Sequence, residues 1–197
     1  MKVKLFDFPR HGKKSCAEVD NYLLGKYGTA DEVGPFRGSI FYAIDRYDAS
    51  FEMKKVLAKG INIVCNRYVG SNIAHQGGKI KDKKKREEFI NWVEDLEYNI
   101  FEIPRPDLNI VLRVPAEISQ KLIGKKQSRK YLKGGKKDIH ENNISHLSEA
   151  EKVYLDLAKR KNSILIECFE NKKLMSIEDI HAQVWKKATL FLTGRWK

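Results

Sequence analysis

Two arginines stand just past short apolar runs, where a guanidinium can fork onto the oxygens of a phosphate. Arg10 lies in Phe8-Pro9-Arg10-His11, and Arg67 in Asn66-Arg67-Tyr68-Val69-Gly70-Ser71-Asn72. Loop arginines are more often simply solvated, so each signal is weak alone and gains weight only if both sit on one rim. Tyr42 and Arg46, four residues apart, share a helix face. A ring beside a hydrogen-bonding fork suits a flat heterocycle, although from spacing alone the plainer reading is a core tyrosine beside a surface arginine. Ser71, Asn72, His75 and Gln76 add polar groups if a helix starts near Ser71; the Asn72 amide can both donate to and accept from a base edge. Residues 121–137 hold eight lysines or arginines and no acid. This basic stretch, with Gly124, Gly134 and Gly135, could close over a polyphosphate, grip a nucleic-acid backbone, or be a solvated surface. Asp138 and Glu141 follow, available to a sugar hydroxyl or a magnesium-bound water.

The elements that must position these groups alternate between strand and helix. Residues 2–8 alternate apolar and polar before Pro9, and 61–65 and 108–114 read as buried strands, the latter stopped by Pro115. Helical spacing is predicted over 16–27, 33–59, 87–98, 118–123 (interrupted by Gly124), 147–159 and 176–191, with a last strand at 163–167. In 33–59, Phe36, Ile40, Ala43 and Tyr47 form one stripe, and the charge run 79–86 reads as a solvated segment. The order predicts an α/β fold with a mainly parallel sheet, in a single domain over 1–197. Ligands in such sheets bind at the carboxyl ends of the strands, where Arg10 and Arg67 stand.

With 197 residues the chain can bury one sizeable core, and its 32% charged residues are interleaved with apolar ones, which argues against disorder. A net charge of +12 points to an anionic partner or to solubility alone. Three scattered cysteines, no CxxC pair and no metal-ligand spacing among the histidines predict reduced thiols and no metal held by the chain. With no signal peptide or membrane-length apolar run, the expected location is the cytoplasm.

Five segments, in order, resemble the thymidylate kinase family, nucleoside monophosphate kinases of the P-loop fold: DFPRHGKKS from Asp7, FYAIDRYDAS from Phe41, NRYVGSNIAHQG from Asn66, PRPDLNIVLRVP from Pro104 and KDIHENNISHL from Lys137. The resemblance implies a three-layer fold and transfer of the terminal phosphoryl group of ATP, with Mg2+, to dTMP. It also implies roles: Tyr42 stacking on thymine, Arg46 and Asn72 reading the base, and Arg67 holding the monophosphate. Phe8, Pro9 and Arg10 would form the wall and rim, with His11 near the phosphate and Ser71, His75, Asp138 and Glu141 completing the substrate set. The stretch 121–137 would be the lid, with Lys136 and Lys137 nearest the reacting phosphates, and Arg67 and Asn66 beside them. Relatives pair through the helix at 33–59, which implies a homodimer.

Two departures are plain. No GxxxxGK[ST] phosphate loop occurs between Met1 and Lys197. In the family that loop, with its strand and helix, precedes the segment that opens at Lys2 here, so truncation is the expectation. The central strand would then be missing between the strands at 61–65 and 108–114, leaving two unpaired apolar edges and a poorly stable or distorted sheet. Asn66 replaces the aspartate usual beside the arginine, and an amide supplies no negative charge. Activity is therefore expected to be weak or absent. The alternatives are a non-catalytic nucleotide-binding or interaction protein that keeps the dTMP pocket, and a basic nucleic-acid-binding module.

Overall fold

The computed structural model describes residues 1–125, 144–171 and 173–194. Strand β1 (Val3–Asp7) lies parallel to β2 (Asn62–Asn66), with Leu5 opposite Val64 and Asp7 opposite Asn66. Strand β3 (Asn109–Arg113) lies parallel to β4 (Ser163–Glu167). The two pairs share no ladder: each is its own two-stranded sheet. The strands are thus parallel as their apolar runs predict, but the sheet is divided, and β2 and β3 each keep an edge with no partner strand among the described residues. Val64 and Leu112 are each 52% exposed, whereas strands of a parallel sheet are normally covered on both faces. A short antiparallel pair, β5 (Phe169–Glu170) with β6 (Lys173–Leu174), was not expected.

Between β1 and β2 run a 3-10 turn (Lys14–Cys16), α1 (Ala17–Leu23) and the long α2 (Ala30–Leu57). Helix α2 starts on a reciprocal cap: Thr29 accepts from the Glu32 amide while the Glu32 carboxylate accepts from the Thr29 amide. It bends at Gly34–Pro35, where Gly34 takes a φ of +74° that a side chain would resist. The apolar residues of α2 divide between two faces. Ala43, Ala49 and Met53 are buried, the last two against Phe6 and Phe8, while Phe36, Ile40, Ile44, Tyr47 and Phe51 form an exposed row. The predicted stripe is therefore solvent-facing apart from Ala43.

Helices α3 (Val69–Gly77) and α4 (Lys83–Glu94) follow β2. The predicted solvated run turns helical only from Lys83, on the Asp82 cap, with lysines 83–85 exposed, whereas Lys79 is half-buried and donates to Tyr22 OH and Gln76 Oε1. After α4 the chain widens into a π-helical stretch, Asp95–Ile100, closed by Phe101 N donating to Leu96 O at 2.9 Å. Helix α5 (Ala116–Lys125) continues through Gly124 rather than stopping there. Helix α6 (Ile144–Ala158) packs Val153 against Val69, Ile73 and Phe89, and α7 (Ile177–Leu192), capped by Ser176, covers Ile164 and Ile166 with Ile180 and Val184. No helix among the described residues is long and apolar enough to cross a membrane.

Candidate nucleotide site

The carboxyl ends of β1 and β2 meet side by side: Asn66 Nδ2 donates to Asp7 Oδ1 at 2.7 Å and Phe8 N to Asn66 O at 3.0 Å. This is the rim expected to carry the two arginines, and they differ. Arg67, exposed with φ +62°, stands between β2 and the first turn of α3, and no ion pair involves it among the described residues. A non-glycine residue held in the left-handed region is the kind of strain that collects at functional sites. Arg10 is instead bound to α2. Its Nε donates to Asp45 Oδ1 at 2.9 Å, and its Nη2 to Asp48 Oδ2 at 2.6 Å and Ser15 Oγ at 2.8 Å. Phe8 is buried, and the Arg10 guanidinium lies 5.9 Å from its ring centre. Pro9 follows Phe8 in this wall, and His11 bonds Asp20.

Behind the rim, α2 and α3 face each other across a polar interior. Tyr42 is half-buried, edge-on to Tyr22 with ring centres 6.3 Å apart. Arg46 is only 3% exposed, so the surface-arginine reading of this pair is wrong. Its Nε and Nη2 both donate to Glu97, which is fully buried, and Asn72 Nδ2 donates to the same carboxylate at 3.2 Å. Burial alone would weaken the Arg46 charge, but Glu97 outweighs it, and the net shift of the guanidinium pKa is upward. Among the described residues, Ser39 Oγ, Asn72 Oδ1 and Gln76 Nε2 are buried here without a hydrogen-bond partner. Each such atom costs about 1–3 kcal/mol unless something else satisfies it. The helices approach closely at Gly38, where a Cβ would stand 2.9 Å from Gln76 Oε1. The same Gln76 oxygen accepts from Lys79 Nζ at 2.8 Å, and burial pulls the Lys79 pKa down to about 8.

Helical geometry separates the polar residues of α3 into two rows. Asn72 and Gln76 point at α2. Ser71 and His75, one position earlier in each turn, point at α6: Ser71 Oγ accepts from Tyr154 OH at 2.9 Å, and His75 stacks on His146 with ring centres 5.6 Å apart. The two rows are adjacent, but Ser71 and His75 do not join the Arg46–Asn72 cluster. Lys136, Lys137, Asp138 and Glu141, and most of the basic stretch 121–137, lie outside the described residues. An open groove of about 490 Å³ lies elsewhere, between the end of β3 and the starts of α5 and α6, lined by Arg113, Glu117, Ser148 and Glu151 among others.

The sequence reading missed Glu97 and Asp7. Glu97 follows Phe89 and Val93 at intervals of four on the buried face of a helical pattern, and an acid in such a row is a signal that it has a buried cationic partner. Asp7 sits opposite Asn66 in register, a pairing invisible until the strands are aligned.

Comparison with known proteins settles the family. The thymidylate kinase family model matches residues 2–184. The chain belongs to the thymidylate kinase family. It is 27% identical over 160 residues to the thymidylate kinase of Mycobacterium tuberculosis, covering 79% of this chain and 72% of that one. A probable thymidylate kinase of Thermoplasma volcanium is 26% identical over 160 residues, covering 73% and 77% respectively. Among solved structures, a Candida albicans thymidylate kinase superposes with a TM-score of 0.67 at 18% identity, over 98% of this chain and 81% of that one. The fold is therefore that of the P-loop nucleoside monophosphate kinases, with its strands here in two separate pairs.

Proposed function

We propose that the chain binds dTMP between α2 and α3 as the acceptor for the terminal phosphoryl group of ATP, giving dTDP. The observation that carries this reading is the set of unpartnered polar atoms on Ser39, Asn72 and Gln76, buried beside an arginine held by Glu97. A pyrimidine carries both hydrogen-bond donors and acceptors on its edge, which is what such a set lacks. Tyr42 would stack on the ring while Arg46 and Asn72 read its edge. Arg67, strained and in no ion pair among the described residues, would hold the monophosphate, with Phe8, Pro9 and His11 along the wall. Arg10 then acts through its bonds to Asp45 and Asp48, fixing the rim against α2. Ser71 and His75 support the pocket from the α6 side.

The family uses Mg2+ with ATP. The Asp7 carboxylate and the neighbouring Asn66 amide oxygen are hard oxygen ligands at the strand ends, the donor type that magnesium takes. There the ion would neutralise phosphate charge, and Asp7 offers the negative charge that Asn66 lacks. Transfer would depend on positioning and charge neutralisation, with Lys136 and Lys137 beside the phosphates. On the donor side, residues 1–197 contain no GxxxxGK[ST] loop, and β2 and β3 carry open edges among the described residues. These two facts favour a second reading, in which residues 1–197 are a nucleotide-binding protein that keeps the dTMP pocket and turns over ATP weakly or not at all. The exposed row from Phe36 to Phe51 on α2 suits a homodimer contact, and a cytoplasmic location fits the reduced cysteines.

Calorimetric titration of dTMP and thymidine, beside a coupled assay of ATP-dependent dTDP formation, tests the readings. Binding with turnover supports the kinase reading, and binding without turnover supports the second. No binding of dTMP refutes both.

A further inference from the structure

We propose that His11, Cys16 and Asp20 form a binding site for a borderline-soft divalent cation of the zinc type. Cys16 and Asp20 are four residues apart at the start of α1, so thiol and carboxylate project from one face a turn apart. His11 reaches the same point from the turn after β1. One donor atom from each residue lies within 4.8 Å of the other two. The carboxylate is the hub: Asp20 Oδ1 is 2.5 Å from His11 Nδ1 and 3.9 Å from Cys16 Sγ.

Donor atoms on one tetrahedral zinc ion stand roughly 3.4 Å apart, given bonds of about 2.0–2.3 Å. The first separation must open by about 1 Å and the second close slightly, both within reach of side-chain rotation. A mixed nitrogen, sulfur and oxygen set selects zinc over magnesium or calcium, which take oxygen alone. Three protein ligands leave a fourth position for solvent, on the side where His11 is exposed.

The surrounding charge favours a cation. Burial, followed by the negative charges of Asp45 and Asp20, holds the Cys16 thiol neutral well above its ordinary range. Burial opposes an unpaired thiolate, but the Asp20 and Asp45 carboxylates attract a metal ion against the nearby Arg10 charge, and metal binding would replace the thiol proton, released to solvent. Asp45 is already spoken for by Arg10 and Ser15 and does not compete as a ligand. No lysine or arginine pairs with Asp20 among the described residues. Occupancy would fasten the turn carrying Arg10 and His11 to α1, and because His11 also stands along the proposed dTMP wall, metal uptake is measured without nucleotide.

Cobalt(II) is the probe, since thiolate ligation adds a sulfur-to-cobalt charge-transfer band in the near ultraviolet. The chelator-treated chain should take up one Co2+ with that band, and Zn2+ should displace it. Cys16→Ser should abolish the band, whereas Cys65→Ser and Cys168→Ser should keep it. His11→Gln alters an exposed side chain, so it tests the site without endangering the fold, and should weaken uptake at least tenfold. No uptake, a band that survives Cys16→Ser, or affinity unchanged in His11→Gln overturns the proposal.

Discussion

Glu97→Ala would expose how the buried arginine is held. One carboxylate accepts three hydrogen bonds, two from Arg46 and one from Asn72, with Glu97 fully buried and Arg46 3% exposed. Removing it strands a guanidinium in the interior, a change that costs about 3–5 kcal/mol, a large part of the 5–15 kcal/mol that ordinarily holds a domain folded. The exposed pair Lys4–Glu52 is the internal standard: Glu52→Ala should cost less than about 1 kcal/mol. Urea unfolding of both variants at pH 7 measures the contrast, with Glu97→Gln as a milder change that keeps one acceptor. The double variant Arg46→Met/Glu97→Leu removes both charges and should recover stability to within about 1 kcal/mol of the parent. It should not recover dTMP affinity, because the fork proposed to read the base is gone. A cost below about 1 kcal/mol for Glu97→Ala, or parental dTMP affinity in the double variant, would refute the reasoning.

Tyr42→Ala should weaken dTMP binding by about 1–3 kcal/mol, the usual worth of a stacked base, measured by calorimetry. Arg67→Ala should weaken dTMP binding by about 1.5–3 kcal/mol while leaving thymidine, which has no phosphate, unaffected. Lys79 sets a pH dependence. Its folded pKa of about 8 lies below its unfolded value, so between the two the unfolded chain binds more protons and stability rises with pH. Relative to Lys79→Met, the parent should therefore gain stability from pH 8 to pH 9 in parallel urea titrations; a flat difference would count against a buried charge there. Ile44→Glu, in the middle of the exposed row on α2, should convert a dimer to monomer by sedimentation.

The strands were legible because short apolar runs ended by turn residues leave little else to form, as at 108–114 before Pro115. Helix positions were legible to within a few residues, but Gly124 was read as a break and is accommodated within α5. The site was half legible. Tyr42, Arg46, Asn72 and Arg67 were picked out by type and position, and the structure brings Arg46 and Asn72 together on one carboxylate. The state of Arg46 was not, because its burial depends on pairing with Glu97, fifty-one residues away in sequence. Asp7 beside Asn66 depends on strand register, and the division of Ser71 and His75 from Asn72 and Gln76 depends on which neighbour each row meets. Pairings over such distances are set by packing, which one sequence does not display.

The division of the strands reaches beyond the site. With no backbone ladder among the described residues between the β1–β2 pair and the β3–β4 pair, the two ends of the molecule cohere through side chains, chiefly where Val69 and Ile73 of α3 meet Val153 and Leu157 of α6. Dispersion contacts slide more readily than hydrogen-bonded ladders shear. Amides of the two strand pairs are therefore expected to exchange with solvent as separate cooperative groups, and a substitution at that helix seam to loosen one group from the other before either melts.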